Sequence, residues 1–164
     1  MKPAEVSTPS DTEVRVVRTF DAPADLVWQA YTEPELMQRW LLGPPGWSMP
    51  VCEMDVRVGG AFRWRWKSDE DGAEFGFHGE FREVEPPKRL VHTEIFDPGD
   101  LQESMGEGGA LITVTFAEKA GQTTMTLTIQ YQSKADRDAA LSTGMTDGME
   151  MSYRRLDEVL AGRG

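Results

Sequence analysis

The chain has 164 residues, of which 17 are basic and 28 acidic, giving a formal net charge of −11. Hydrophobic residues make up 39% and charged residues 27%, the balance of an ordinary globular domain and not of a disordered chain. The acidic excess argues against a general phosphate-backbone binder, which depends on Lys and Arg, and against docking on anionic membranes.

The longest charge-free runs, Trp40–Cys52 and Ala120–Ser133, fall well short of the roughly 20 apolar residues that cross a bilayer. Met1 to Thr12 lacks the apolar centre of a secretory signal. Cys52 stands alone, so no internal disulfide and no cysteine metal motif is expected. The expectation is a cytoplasmic protein with a disordered tail over 1–12 and one domain over 13–164.

From Glu13 to Phe20, Val14 and Val16 with Arg15 and Arg18 interleaved read as a first strand. The segment DAPADLVWQAYTEPELMQRW reads as two short helices, with Pro23 near the start of the first. Thr32 and Glu35 have capping-box spacing before Leu36, Met37 and Trp40, which places a second helix start there.

Beyond the Gly/Pro-rich stretch 43–46 the pattern turns to period two. Phe62, Trp64 and Trp66 alternate with Arg63, Arg65 and Lys67, and after Asp71-Gly72 the alternation resumes with Phe75, Phe77 and Phe81. Such alternation gives each strand one apolar and one wet face. Leu90–Phe96 supplies another strand, and Asp97–Gly109 reads as a long loop. Ile112, Val114 and Phe116, then Met125, Leu127, Ile129 and Tyr131, form the inner faces of two more. The last thirty residues change period: Leu141, Met145, Met149, Ser152, Leu156 and Val159 recur every three to four residues. That spacing predicts one long amphipathic helix from about Lys134 to Gly162.

The fold expected is therefore α+β: a curved antiparallel sheet of six to seven strands wrapped around a long C-terminal helix, with two short helices after the first strand. That helix alone is long and apolar enough to cover the sheet's apolar face.

This order of elements resembles the helix-grip fold of the START and birch-pollen-allergen superfamily. Four segments narrow the likeness: FDAPADLVWQAYTEPELMQRWLLGP, DVRVGGAFRW, GEFREVEPPKRLVHT and GMTDGMEMSYRRLDEVL. In this order they resemble the bacterial branch of the family named after the activator of the heat-shock protein 90 ATPase. The resemblance runs from about Val14 to Leu160 and implies a hydrophobic cavity between sheet and helix. Some superfamily relatives carry lipids or hormones, some cyclise or dehydrate polyketides, and the eukaryotic namesakes act as co-chaperones. Those namesakes tend to have an added N-terminal client-binding domain, for which this chain has no room. The family has no universal catalytic residues, so none is carried over.

Chemistry in the residues is sparse. His78 falls on an outward register beside Glu80 and Arg82. His92 and Glu94 share a register on a strand whose two faces are both mixed, so their orientation stays open; inward, they would form a buried acid–base pair. The sequence shows no zinc ligand spacing, no nucleotide-phosphate cradle and no GxSxG, so no metal or cofactor is expected. The aromatics carry more information. Trp40, Trp47, Phe62, Trp64, Trp66, Phe75, Phe77 and Phe81, with the adaptable Met145 and Met149 opposite, suggest the walls of an apolar pocket. Tyr31, Tyr131 and Ser152 would be its few polar contacts. Gly144 and Gly148 lie four apart in the expected helix, which reads as close packing or close approach of a ligand.

Three readings follow: a binding domain for a small apolar or aromatic ligand; a cyclase-, dehydratase- or hydrolase-like enzyme using His92 and Glu94; and a co-chaperone acting through the outer sheet face and the 97–109 loop. Monomer and homodimer both remain open.

Overall fold

The computed structural model describes residues 1–98 and 109–162. Eight antiparallel strands form one open sheet: β1 (Glu5–Ser7), β2 (Glu13–Phe20), β3 (Trp47–Met54), β4 (Ala61–Ser68), β5 (Glu74–Glu85), β6 (Arg89–Asp97), β7 (Ala110–Lys119) and β8 (Gln122–Gln130). Their spatial order is β1-β2-β8-β7-β6-β5-β4-β3. Two short helices, α1 (Ala24–Thr32) and α2 (Pro34–Trp40), follow β2, and α3 (Lys134–Leu141) and α4 (Met145–Leu160) close the chain. The sheet curves around α4, which is the helix-grip arrangement. Register breaks between Ser48 and Val51 and between Phe81 and Glu83 mark bulges that help the long strands bend. Pro50 falls in the first of these, on the edge strand β3, where its missing N–H leaves no ladder bond unmade.

The core lies on the concave side. Val14, Val16 and Phe20 of β2, Ile112, Val114 and Phe116 of β7, and Met125 of β8 are buried against Val27 and Trp28 of α1 and Tyr153 and Leu156 of α4. The opposite face carries hydroxyls such as the Thr19–Thr124 pair.

Four expectations need correction. Residues 1–12 are not simply a tail: Glu5–Ser7 pairs with Val17–Arg15 of β2, and the Ala4 N–H donates to Glu150 Oε1 at 2.8 Å, tying the segment to α4. Three polar-flanked residues carry too little apolar pattern to be recognised as an edge strand. The Thr32–Glu35 box does not form. The Thr32 hydroxyl donates back to the Trp28 carbonyl at 2.8 Å, and α2 instead begins at Pro34, whose fixed φ suits a first helical position. The C-terminal helix is two helices, because Gly144 stands at φ 78°, in the left-handed region, and breaks the run ahead of Met145. Arg18 is not interleaved with the apolar face but shares the even register of Val14, Val16 and Phe20, and is 2% exposed.

Arg18 is the main polar clamp of the fold. Its guanidinium donates through Nη1 and Nη2 to both carboxylate oxygens of Asp157 at 2.8 and 2.9 Å. Nε and Nη2 reach Glu150 at 3.1 Å each, and the planar cation lies 5.0 Å from the Phe20 ring centre. A planar fork satisfied on both sides is what allows an arginine to be buried. The Asp97–Gly109 loop expected from the sequence lies largely outside the described residues.

Candidate functional site

Where α4 approaches the other flank of the sheet, packing is incomplete. A cavity of about 460 Å³ lies between β3–β8 on one side and α4 with the α2–β3 connection on the other. Its position follows from residue size. Met145 and Met149 occupy the N-terminal half of α4, and both remain only half-buried. Gly148 lets the helix come close to the connection: a Cβ there would lie 3.4 Å from Pro44 Cδ. Trp66 is held in the wall by its indole N–H, which donates to the Leu41 carbonyl at 2.7 Å. Trp40 is fixed in the same way on the Ala30 carbonyl at 2.9 Å.

Among the residues singled out from the sequence, Tyr31, Trp40, Trp47, Trp64, Trp66, Phe75, Phe77, Phe81, Tyr131, Met145, Met149 and Ser152 line this cavity. Phe62 does not. Its ring lies over Gly79, its partner on β5, and packs 4.3 Å from Trp64 and 5.0 Å from His92. It shares the inner face of β4 with Trp64 and Trp66 but is packed among the neighbouring rings. The polar residues divide. Ser152 Oγ accepts from the Gly43 N–H at 2.8 Å and is thereby committed to holding the connection. Tyr131 points its hydroxyl toward Met145 Sδ at 3.7 Å, a weak contact.

The open question of β6 resolves inward. His92, Glu94 and Phe96 all line the cavity, and His78 is exposed on the other face of β5, as its register implied. His92 is 5% exposed, boxed by the edges and faces of Phe62, Trp64 and Phe81 with ring centres 5.0–5.9 Å away. Its Nδ1 donates to the Thr93 carbonyl at 3.1 Å, which leaves Nε2 as the lone-pair nitrogen. Burial pushes the imidazole down to about 4, so it is neutral at neutral pH.

Glu94 is half-buried and has no cationic partner or hydrogen-bond donor among the described residues; burial pushes its carboxyl up to about 7. The phenol of Tyr131 is raised by burial and then by the Glu94 charge, which places the two groups within electrostatic reach. No direct His92–Glu94 hydrogen bond forms, so the two share a wall without forming a dyad. The described lining residues include no Lys or Arg. Two further polar groups of the lining are buried without a hydrogen-bond partner among the described residues, the Tyr31 hydroxyl and the indole N–H of Trp64.

Sequence reasoning missed Phe96, Leu90 and Tyr153 in the lining. Phe96 was available in principle: once His92 and Glu94 face inward, period two carries it with them. Tyr153 follows Met149 by one helical turn and belongs to the same stripe. The Leu42–Pro44 connection carries no periodic signal. Among the described residues, no three His, Cys, Asp or Glu side chains gather to hold a metal, and no helix is long and apolar enough to cross a membrane.

An open curved sheet gripping a helix around an apolar cavity defines a START-like helix-grip protein. Residues 21–161 match the model of the family described as "Activator of Hsp90 ATPase homolog 1-like protein", and the chain belongs to that family. A crystal structure from Rhodobacter sphaeroides is similar with 30% identity and a TM-score of 0.89, covering 98% of this chain and 99% of that one. A protein from Nitrosomonas europaea is similar at 25% identity and a TM-score of 0.80, covering 94% and 97%. A solution structure from Arthrobacter aurescens gives 25% and 0.82, covering 96% and 91%. No functionally curated protein matches the chain.

Proposed function

We propose that the protein binds a small, largely apolar or aromatic molecule in the cavity between the sheet and α4. The observation that carries this is the cavity itself: about 460 Å³, within the range of small-molecule sites, walled by aromatic rings with few polar groups. The half-buried methionines of α4 suit such a role, because an unbranched thioether adapts to varied apolar shapes. Native mass spectrometry of the purified protein, followed by extraction, tests the proposal. A bound apolar molecule, or saturable quenching of the tryptophans by added aromatic compounds, is the expected result. An empty protein whose tryptophan emission responds to none of them overturns it.

A second reading rests on Glu94. A carboxyl held near 7 in an apolar cavity has the proton affinity of an effective general base, and such a base abstracts a proton next to a ligand carbonyl. The neutral His92 would be its neighbour and not its relay. Deuterium incorporation into enolisable ketones in heavy water, above that of Glu94→Gln, is the expected signature; equal incorporation removes this reading.

A further inference from the structure

Glu94 stands at a position that favours access. By register it faces Ala110 on β7, and on the β5 side it lies between the His78–Ile95 and Phe81–His92 pairs, where the inward position is Gly79. The β7 flank is small and Glu94 lines the cavity there, while on the β5 flank the Phe62 ring fills the space over Gly79. Aromatic side chains share that wall: Phe77 pairs with Phe96 next along the strands, and Tyr131 follows the end of β8. Every aromatic face presents the negative side of its quadrupole, so the wall and the carboxylate act in the same sense.

From this arrangement we infer that the ligand class is a lipophilic amine, an apolar or aromatic body bearing one protonated nitrogen that pairs with Glu94 inside the aromatic wall. The inference deepens the proposed binding function and rests on it. An anionic head would enter a cavity whose described lining carries no positive charge. A purely apolar ligand would leave the carboxyl uncompensated and force it to take up a proton. An ammonium group meets the requirement directly, through a charge-assisted hydrogen bond and the ring faces together.

The titratable groups around Glu94 are few. His92 lies on the same strand, and Tyr31, Tyr131 and Tyr153 complete the lining. β5 and β7 present none on the inner face near Glu94, since His78, Glu80 and Arg82 lie on the other side of β5. On α4, Met145 and Met149 face the cavity, while Glu150 and Asp157 are committed to Arg18. With the imidazole down at about 4 and the phenols raised by burial, Glu94 is the lining group that titrates between pH 5.5 and 8.

Calorimetric titration of the intact protein with three probes of one shape tests the inference: naphthalen-1-ylmethylammonium, the neutral naphthalen-1-ylmethanol and 1-naphthoate. At pH 8 the ammonium should bind about tenfold or more tighter than the alcohol, and the naphthoate weakest. Below pH 7 the advantage of the ammonium should fall by roughly tenfold per pH unit, because each molecule bound must displace a proton from Glu94. In Glu94→Gln the ammonium and alcohol should converge, because the ammonium loses its counter-charge and the alcohol no longer faces an ionised carboxyl. Equal affinities of ammonium and alcohol at pH 8, or a preference that does not weaken with acid, overturn the inference while leaving the cavity reading intact. Binding of none of the three overturns both. If Glu94→Gln fails to fold by circular dichroism, the pH dependence of the natural sequence decides alone.

Discussion

The two halves of α4 treat charge in opposite ways. Toward its C-terminal end, Tyr153 and Leu156 are buried in a closed core, and the cation buried there, Arg18, is matched by two carboxylates that both accept hydrogen bonds from it. Toward its N-terminal end, Met145 and Met149 face open volume, and the one acid of that wall, Glu94, has no counter-charge among the described residues. Both groups are costly to desolvate. Only one is compensated by the fold itself. A buried charge answered within the chain reads as architecture; one left unanswered beside a cavity points to something from outside.

Removing Arg18 should give the largest effect. Arg18→Ala would leave Glu150 and Asp157 facing each other across a gap in the seam and release the tie through Glu150 to Ala4. The expected loss is about 3 kcal/mol or more, corresponding to a fall in melting temperature of about 6–12 °C. A change under about 1 kcal/mol in urea denaturation would show that the clamp is ornamental and would break the contrast. The Glu150 carboxyl, despite burial that works the other way, is held below its ordinary range by the Arg18 hydrogen bond. Its contribution is therefore present above the unfolded value and lost as pH falls through the lower folded one.

Glu94→Gln should change stability with the opposite sign. The unfolded chain ionises this group near its ordinary 4.5, the folded protein only near 7. Stability is therefore lost as pH rises between those values and stays lower above them. The amide variant should be more stable than the natural protein at pH 8 by about 1–3 kcal/mol, with the gap narrowing toward pH 5.5. Denaturant melts at the two pH values measure it. An unchanged or negative difference would mean that Glu94 is compensated after all, and would undo its contrast with Arg18. A stabilising substitution at a cavity residue is also the usual mark of a group kept for function.

Much of this was legible in the chain, and for identifiable reasons. Period-two alternation in Phe62–Lys67 and Ile112–Phe116 gave both the sheet and the inward faces, because a half-buried strand leaves its pattern in every second residue. Most of the aromatic wall followed from that alone. The register of Arg18 was equally available, two positions beyond Val16, but a charge on an apolar face is readily taken as interleaved unless its partners are seen. Those partners lie 132 and 139 residues away on another element. β6 was ambiguous because it is covered unequally: Leu90, Val91 and His92 are all buried, so alternation fails just where the chemistry lies. The division of the last helix depends on the backbone angle of a single glycine, which periodicity does not report.

That glycine and its neighbour one turn later give the smallest effects, and they should differ in sign. At Gly144 a Cβ would meet nothing within 4 Å, so the only cost of Gly144→Ala is the left-handed backbone at φ 78°. That conformation disfavours alanine by about 1 kcal/mol. Gly148 lies inside α4 with ordinary backbone, and its new Cβ would sit 3.4 Å from Pro44 Cδ, an ordinary contact. Gly148→Ala should therefore gain up to about 1 kcal/mol from helix propensity. If both alanines destabilise equally, Pro44 cannot yield, and the approach of α4 to the connection is as tight as the Arg18 seam. If Gly144→Ala is neutral, the helix break is not imposed by that residue, and the open half of α4 owes its shape to the cavity wall instead.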